Sequence, residues 1–129
     1  STLVLLKLAP KDGTPASPEE SARYMTLIER LPDGFVVTDL TGRVLEANAA
    51  FLDLAQAGTA EQVKGRYLGE WLGRAGVDFP SLTAALRDQG TVRNFPTLVR
   101  GMFGGSESVE VSAVLVEDGD LPCYGFVLR

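Results

Sequence analysis

The stretch Leu31-Pro-Asp-Gly-Phe-Val-Val-Thr-Asp-Leu-Thr-Gly-Arg-Val-Leu-Glu-Ala-Asn-Ala-Ala-Phe51 decides the fold. Pro32-Asp-Gly34 stops any helix that precedes it, because proline and glycine together punctuate the chain. Gly34-Phe-Val-Val-Thr-Asp39 is rich in β-branched and aromatic residues, and a second such run, Arg43 to Ala47, follows after only Leu40-Thr-Gly42. Two β runs across so tight a connection predict a hairpin. Asp39 can bond backbone within the turn, and Gly42 supplies a conformation that other residues resist. Asn48 suits the cap of a short helix over Ala49 to Ala55. These three residues shape the hairpin and carry no chemistry.

Upstream, Ser17-Pro-Glu-Glu20 is a helix start: Ser17 can cap, Pro18 suits the first helical position, and Glu20 completes a capping box. The helix spans residues 17–31. Tyr24, Leu27, Ile28 and Leu31 recur at the spacing of one apolar stripe, with Met25 beside them. That stripe packs either on its own domain or on a second copy or flanking domain; the five residues are the candidate association surface. Earlier still, Thr2 to Leu8 reads as a strand closed by Pro10, and Lys11 to Ala16 has linker composition. The organisation is therefore 1–16 strand and linker, 17–31 amphipathic helix, and 32–129 the main domain. A chain that begins without Met is expected to be a piece of a larger protein.

Downstream, short helices are expected near 59–63 and 68–72. A clearer one runs from Ser81 to Gln89, opened by Asp78-Phe-Pro-Ser81 and ended by Gly90. Strands follow at 91–100, 108–116 and 123–129, joined by the glycine-rich 101–106 connection and the 117–120 turn. Val109, Val111, Ala113 and Leu115 alternate with mostly polar neighbours, the mark of an antiparallel strand with one covered face. The element order predicts an α+β domain, a five-stranded antiparallel sheet with short helices on one face and an N-terminal amphipathic helix.

Composition narrows the function. The 129 residues carry 12 basic and 17 acidic side chains, a net charge of −5. Such a domain is a poor match for phosphate backbones or anionic lipid surfaces. No apolar run approaches the roughly 20 residues that span a bilayer, and the N-terminus lacks the features of a signal peptide. With a single cysteine, no internal disulfide or thiolate zinc site forms, and a reducing cytoplasm is the expected setting. There is no histidine, which removes the commonest general base and metal ligand.

Among candidate sites, Cys123 is either a small apolar residue at a strand start or a redox or intermolecular disulfide cysteine. Asp118 and Asp120 nearby would raise its pKa and oppose thiolate chemistry. A haem would have Cys123 as its sole axial ligand. The acid pairs Glu19-Glu20, Glu107 with Glu110, and Asp118 with Asp120 are better explained as helix-start, strand-face and turn charge than as acid/base machinery. The glycines at 104 and 105 lack the Lys-Ser/Thr and helix of a phosphate loop. Trp71, beside Leu68 and Leu72, is core or an interface anchor. No cofactor, metal or reaction is assigned.

The element order and the Leu31 to Phe51 stretch, with Asp39, Gly42 and Asn48 at its punctuating positions, resemble a PAS domain over about residues 20–129. Flavin photochemistry of the light-oxygen-voltage kind would need a cysteine in the helix region after Asn48, which has none. Three further segments, Gly65 to Arg74, Gly76 to Phe79 and Val99 to Ala113, resemble the PpsR/CrtJ repressors of photosynthesis genes in purple bacteria. That resemblance implies one internal PAS domain in a chain with several, reaching DNA only through a separate helix-turn-helix. It implies a redox role for Cys123, a homo-oligomer, contacts with other PAS domains of the same chain, and a flavin-containing antirepressor as partner. On this reading residues 2–8 close a preceding repeat; otherwise they add a strand to this sheet. The alternative is a ligand-sensing PAS input domain of a histidine kinase or another regulator.

Overall fold

The computed structural model describes residues 18–74, 76–117 and 121–129. The expected strand at 2–8, the linker at 11–16, the Ser17 cap and the acids Asp118 and Asp120 lie outside these residues. Helix α1 covers Pro18–Arg30, with Glu19 and Glu20 in its first turn and Arg30 in its last, each on the favoured side of the helix dipole. Strand β1 (Gly34–Thr38) and strand β2 (Val44–Ala47) form the predicted hairpin, and α2 (Ala49–Ala55) follows at once. Two 3-10 turns, Ala60–Gln62 and Leu68–Glu70, lead to α3 (Asp78–Gln89). The chain finishes with β3 (Thr91–Arg100), β4 (Ser106–Val116) and β5 (Cys123–Leu128).

Two boundaries differ from expectation. Helix α3 begins at Asp78, one turn before Ser81, because Pro80 falls in the first turn, where a missing N–H has no helical acceptor to lose. Strand β4 starts at Ser106, since Arg100 pairs with Ser106 and the ladder continues almost to the hairpin tip.

The five strands form one antiparallel sheet in the order β2-β1-β5-β4-β3. The last strand therefore enters the middle and joins the N-terminal hairpin to the C-terminal one. Alternation sends Val36, Tyr124, Phe126, Leu128, Val109, Val111, Ala113 and Val99 to the face covered by helices. There they meet Phe51 and Ala55 from α2, Trp71 and Leu72 from the loop, and Phe79, Leu82 and Leu86 from α3. Each fully buried large side chain contributes roughly 1.5 to 3 kcal/mol. Aromatic rings fill the interior: Phe51 meets Trp71 edge-on at 6.1 Å, Tyr67 meets Phe79 at 5.1 Å, and Phe79 leads on to Phe126 at 5.8 Å. Trp71 is thus core, and Arg66 covers its ring at 5.2 Å.

The segment around the second 3-10 turn reaches both margins of the sheet. At β2, Val44 N–H donates to the Arg66 carbonyl, Gly65 N–H to the Val44 carbonyl, and Arg43 bridges Tyr67. At β3, Gly73 N–H donates to the Leu98 carbonyl and Arg100 N–H to the Trp71 carbonyl, while Leu72 bridges Val99. Residues 65–73 thus form a strap from one edge strand to the other.

Candidate interaction surface

The hairpin residues build the platform. Asp39 Oδ1 accepts from Thr41 N at 2.9 Å, Thr41 Oγ1 at 2.6 Å and Arg43 N at 3.0 Å. Partial burial works to raise its pKa, but the Thr41 hydroxyl and the N–H groups of Arg43, Thr41 and Gly42 hold the carboxyl below its ordinary value. Gly42 has φ +91°, and a Cβ there would lie 2.7 Å from the Phe79 ring and 2.8 Å from that of Tyr67. Only glycine fits both the conformation and the space.

Asn48 does more than cap. Its Oδ1 accepts from Phe51 N, the N-terminal capping bond of α2, and also from Phe35 N at 2.8 Å. Its Nδ2 donates to the Ile28 carbonyl at 2.8 Å and the Asp33 carbonyl at 3.0 Å. One buried amide therefore holds the end of α1, the start of β1 and the start of α2 together. Such a satisfied buried network fixes one arrangement, because breaking any part leaves an unpaired polar group.

The five stripe residues, four on α1 and Leu31 just past its end, divide. Tyr24 and Ile28 are half-buried. Met25, Leu27 and Leu31 are exposed, Leu27 to 63% and Leu31 to 40%. The centre of the stripe is thus shielded and its shoulders are open, an intermediate between the two packings the sequence left open. Cys123 lies apart from them, 1% exposed on the other face of the sheet beside Val37, with Phe35 and Val116 packed against the pair. Burial of that kind slows any reagent's approach to the thiol.

A second exposed apolar feature went unread in the sequence. Met102 and Phe103 occupy the β3–β4 turn, and Phe103 is 84% exposed. The turn is braced by the C-terminus of α2: Met102 N–H donates to the Ala55 carbonyl at 2.8 Å, and Phe103 N–H to Gln56 Oε1 at 2.8 Å. Gln56 itself closes α2 in the left-handed region, φ 59° and ψ 33°. A Cβ at Gly101 would collide with its amide. No local signal marks Gln56, since its partner lies 47 residues away.

Among the described residues, no group of three or more His, Cys, Asp or Glu side chains is placed to hold a metal ion. No helix there is long and apolar enough to cross a membrane. The buried polar side chains Thr38, Asn48 and Thr83 are each satisfied by nearby backbone.

Comparison with known proteins agrees with the architecture. Protein CrtJ of Rhodobacter capsulatus is 36% identical over 97 residues, 75% of this chain; the chain spans about a fifth (21%) of that protein's length. A PAS domain of an HTR-like protein from Haloarcula marismortui superposes with a TM-score of 0.72 at 24% identity, covering 88% of this chain and 98% of that one. A domain of a sensory box sensor histidine kinase/response regulator from Geobacter sulfurreducens gives 0.70 at 25% identity, covering 84% and 92%. A family model described as PAS domain matches residues 22–96, and the chain belongs to the PAS domain family.

Proposed function

We propose that this domain is an interaction and signal-relay module of a transcriptional repressor in the PpsR/CrtJ group, with no reaction of its own. The observation that carries the reading is the state of α1: its end is pinned to the hairpin through Asn48 while Leu27 and Leu31 stay open to solvent. A helix so placed can associate with another surface and pass a change of packing to the sheet. Likeness to CrtJ supports a cytoplasmic setting, a homo-oligomer, contacts with further PAS domains of the same polypeptide, and DNA binding through a separate helix-turn-helix. It also supports response to redox state or light, control of photosynthesis genes, and a flavin-containing antirepressor as partner.

Sedimentation of the chain and of a Leu27→Asp, Leu31→Asp double variant tests this. Association in the parent and its loss in a variant with unchanged circular dichroism is the expected result; a monomeric parent overturns the reading. The likeness to a sensor histidine kinase domain favours a second reading, a ligand-sensing input module. Native mass spectrometry separates the two readings. A stoichiometric small molecule retained on the protein would favour the sensor.

A further inference from the structure

Successive residues of a strand point to opposite faces of its sheet. With Val36, Tyr124 and Phe126 turned towards the helices, Val37, Cys123, Gly125 and Val127 face the other way. Helices α2 and α3 pack on the first face, and Tyr24 and Ile28 of α1 belong to neither buried apolar cluster. Among the described residues, then, no helix covers the second face. Yet Val37 and Cys123 are each only 1% exposed there. The described side chains packed against them are Phe35 and Val116. Phe35 shares a strand with Val37, and Val116 is the cross-strand partner of Cys123, so both stand beside the pair. Gly125, opposite Val37, adds no side chain. Lateral neighbours shield the flanks of a side chain, whereas closing its tip takes atoms above it. The cover is also narrow. Val116 and Val127 are half-buried, and Val114, opposite Gly125, is 37% exposed. A second domain would close far more of the face, so the occupant has the width of a single segment.

The rest of the chain consists of residues 1–17, Ala75 and Asp118-Gly-Asp120, and only the first of these contains an apolar run, Leu3-Val-Leu-Leu-Lys-Leu8. That run is within reach. The 13 residues of α1 rise about 20 Å, and the end of α1 is tied beside β1 through Asn48. The stretch from Leu8 to Pro18 can extend over about 33 Å, enough to return along α1 to the sheet. Independently of the association reading, we propose that residues 2–8 of this chain lie across the outer face of the sheet, over Val37 and Cys123. A period of two puts Val4, Leu6 and Leu8 on one side of an extended segment and Leu3, Leu5 and Lys7 on the other. The first set carries no charge and faces the sheet. A place at the edge, as a sixth strand, would leave the interior strands β1 and β5 uncovered. Access to the Cys123 thiol is thus governed by residues 2–8, and a partner that draws this segment away lays the thiol open.

The test is thiol labelling of the full chain by an aromatic disulfide reagent. A Val4→Asp, Leu6→Asp double variant should label at Cys123 at least about tenfold faster than the parent, since two apolar contacts of the cover are lost. Amide exchange in β5 should stay slow in both proteins. A labelling rate unchanged from the parent overturns the cover, and so does acceleration matched by equally faster exchange throughout β5, which reports general unfolding. Leu6→Cys, which keeps the segment apolar, supplies a second readout. Under mild oxidation it should close an internal disulfide with Cys123, giving a monomer of altered mobility on non-reducing gels. Dimers alone, or no disulfide, would place residues 2–8 elsewhere and overturn the proposal.

Discussion

The side-chain amide of Asn48 donates to the backbone carbonyl of Ile28 across 20 positions of sequence, at 2.8 Å. This bond makes the last turn of α1 part of the same network that starts β1 and α2. Movement of α1 and integrity of the hairpin are therefore linked through one residue.

Asn48→Ala should destabilise the domain by about 2 kcal/mol or more, the sum of a lost helix cap and unsatisfied buried backbone groups. Asn48→Ser keeps a capping oxygen but loses the bond to Ile28. It should recover part of the stability in urea titrations, while amides of α1 exchange faster than those of β5. Equal acceleration of exchange in both elements would show that α1 is held by other contacts.

Gly42→Ala should cost more than Gly104→Ala. Both glycines have positive φ, +91° and +100°, so both variants carry the backbone strain of about 1 to 2 kcal/mol. Only at Gly42 does the added methyl also meet the rings of Phe79 and Tyr67, whereas nothing lies within 4 Å at Gly104. Crowding of that kind adds about 1 to 3 kcal/mol. Equal denaturation midpoints for the two variants would refute the difference.

Acid should weaken the fold through Asp39 and Asp78. The Thr97 hydroxyl, aided by Arg74, holds the Asp78 carboxyl below its ordinary value against the effect of burial, as the turn does for Asp39. Both folded-state values are depressed, so the stabilisation is complete above the unfolded carboxylate range near roughly pH 4. It is lost as pH falls through the lower folded values. An Asp39→Asn, Asp78→Asn double variant should therefore show a flatter stability profile across roughly pH 3 to 5 than the parent. Parallel profiles would count against this assignment.

Cys123 should react with an aromatic disulfide reagent only as fast as the protein opens. Labelling should accelerate with urea and approach the rate of a small thiol in the unfolded chain. Immediate labelling of the native protein, or a covalent dimer absent from Cys123→Ser on non-reducing gels, would support a redox role for this thiol.

Much of the fold was legible because its signals are local. Pro32-Asp-Gly34, the short turn at 40–42 and the cap at Asn48 each act within a few residues, and the alternation from Val109 to Leu115 follows directly from strand geometry. The α3 start was misplaced because Pro80 reads as a stop signal although a first-turn position tolerates it. The open and shielded sides of the α1 stripe were not separable, since helical spacing gives a face but not how much of it a neighbour covers. Gln56 and Phe103 were silent for a stronger reason: their significance arises only when the β3–β4 turn folds back onto α2.

The strap formed by residues 65–73 has a wider consequence. Its main-chain bonds occupy β2 on one side and the end of β3 on the other. Along the remainder of β3, Pro96 has no N–H to offer an added strand, and the bulge between Val92 and Phe95 interrupts the ladder. Lateral growth of the sheet by a borrowed strand is thereby obstructed at both flanks. Recruitment must proceed through side-chain relief alone, so neighbouring molecules discriminate this domain by its contours, and point changes at a few protruding residues can rewire its associations without touching the ladder beneath.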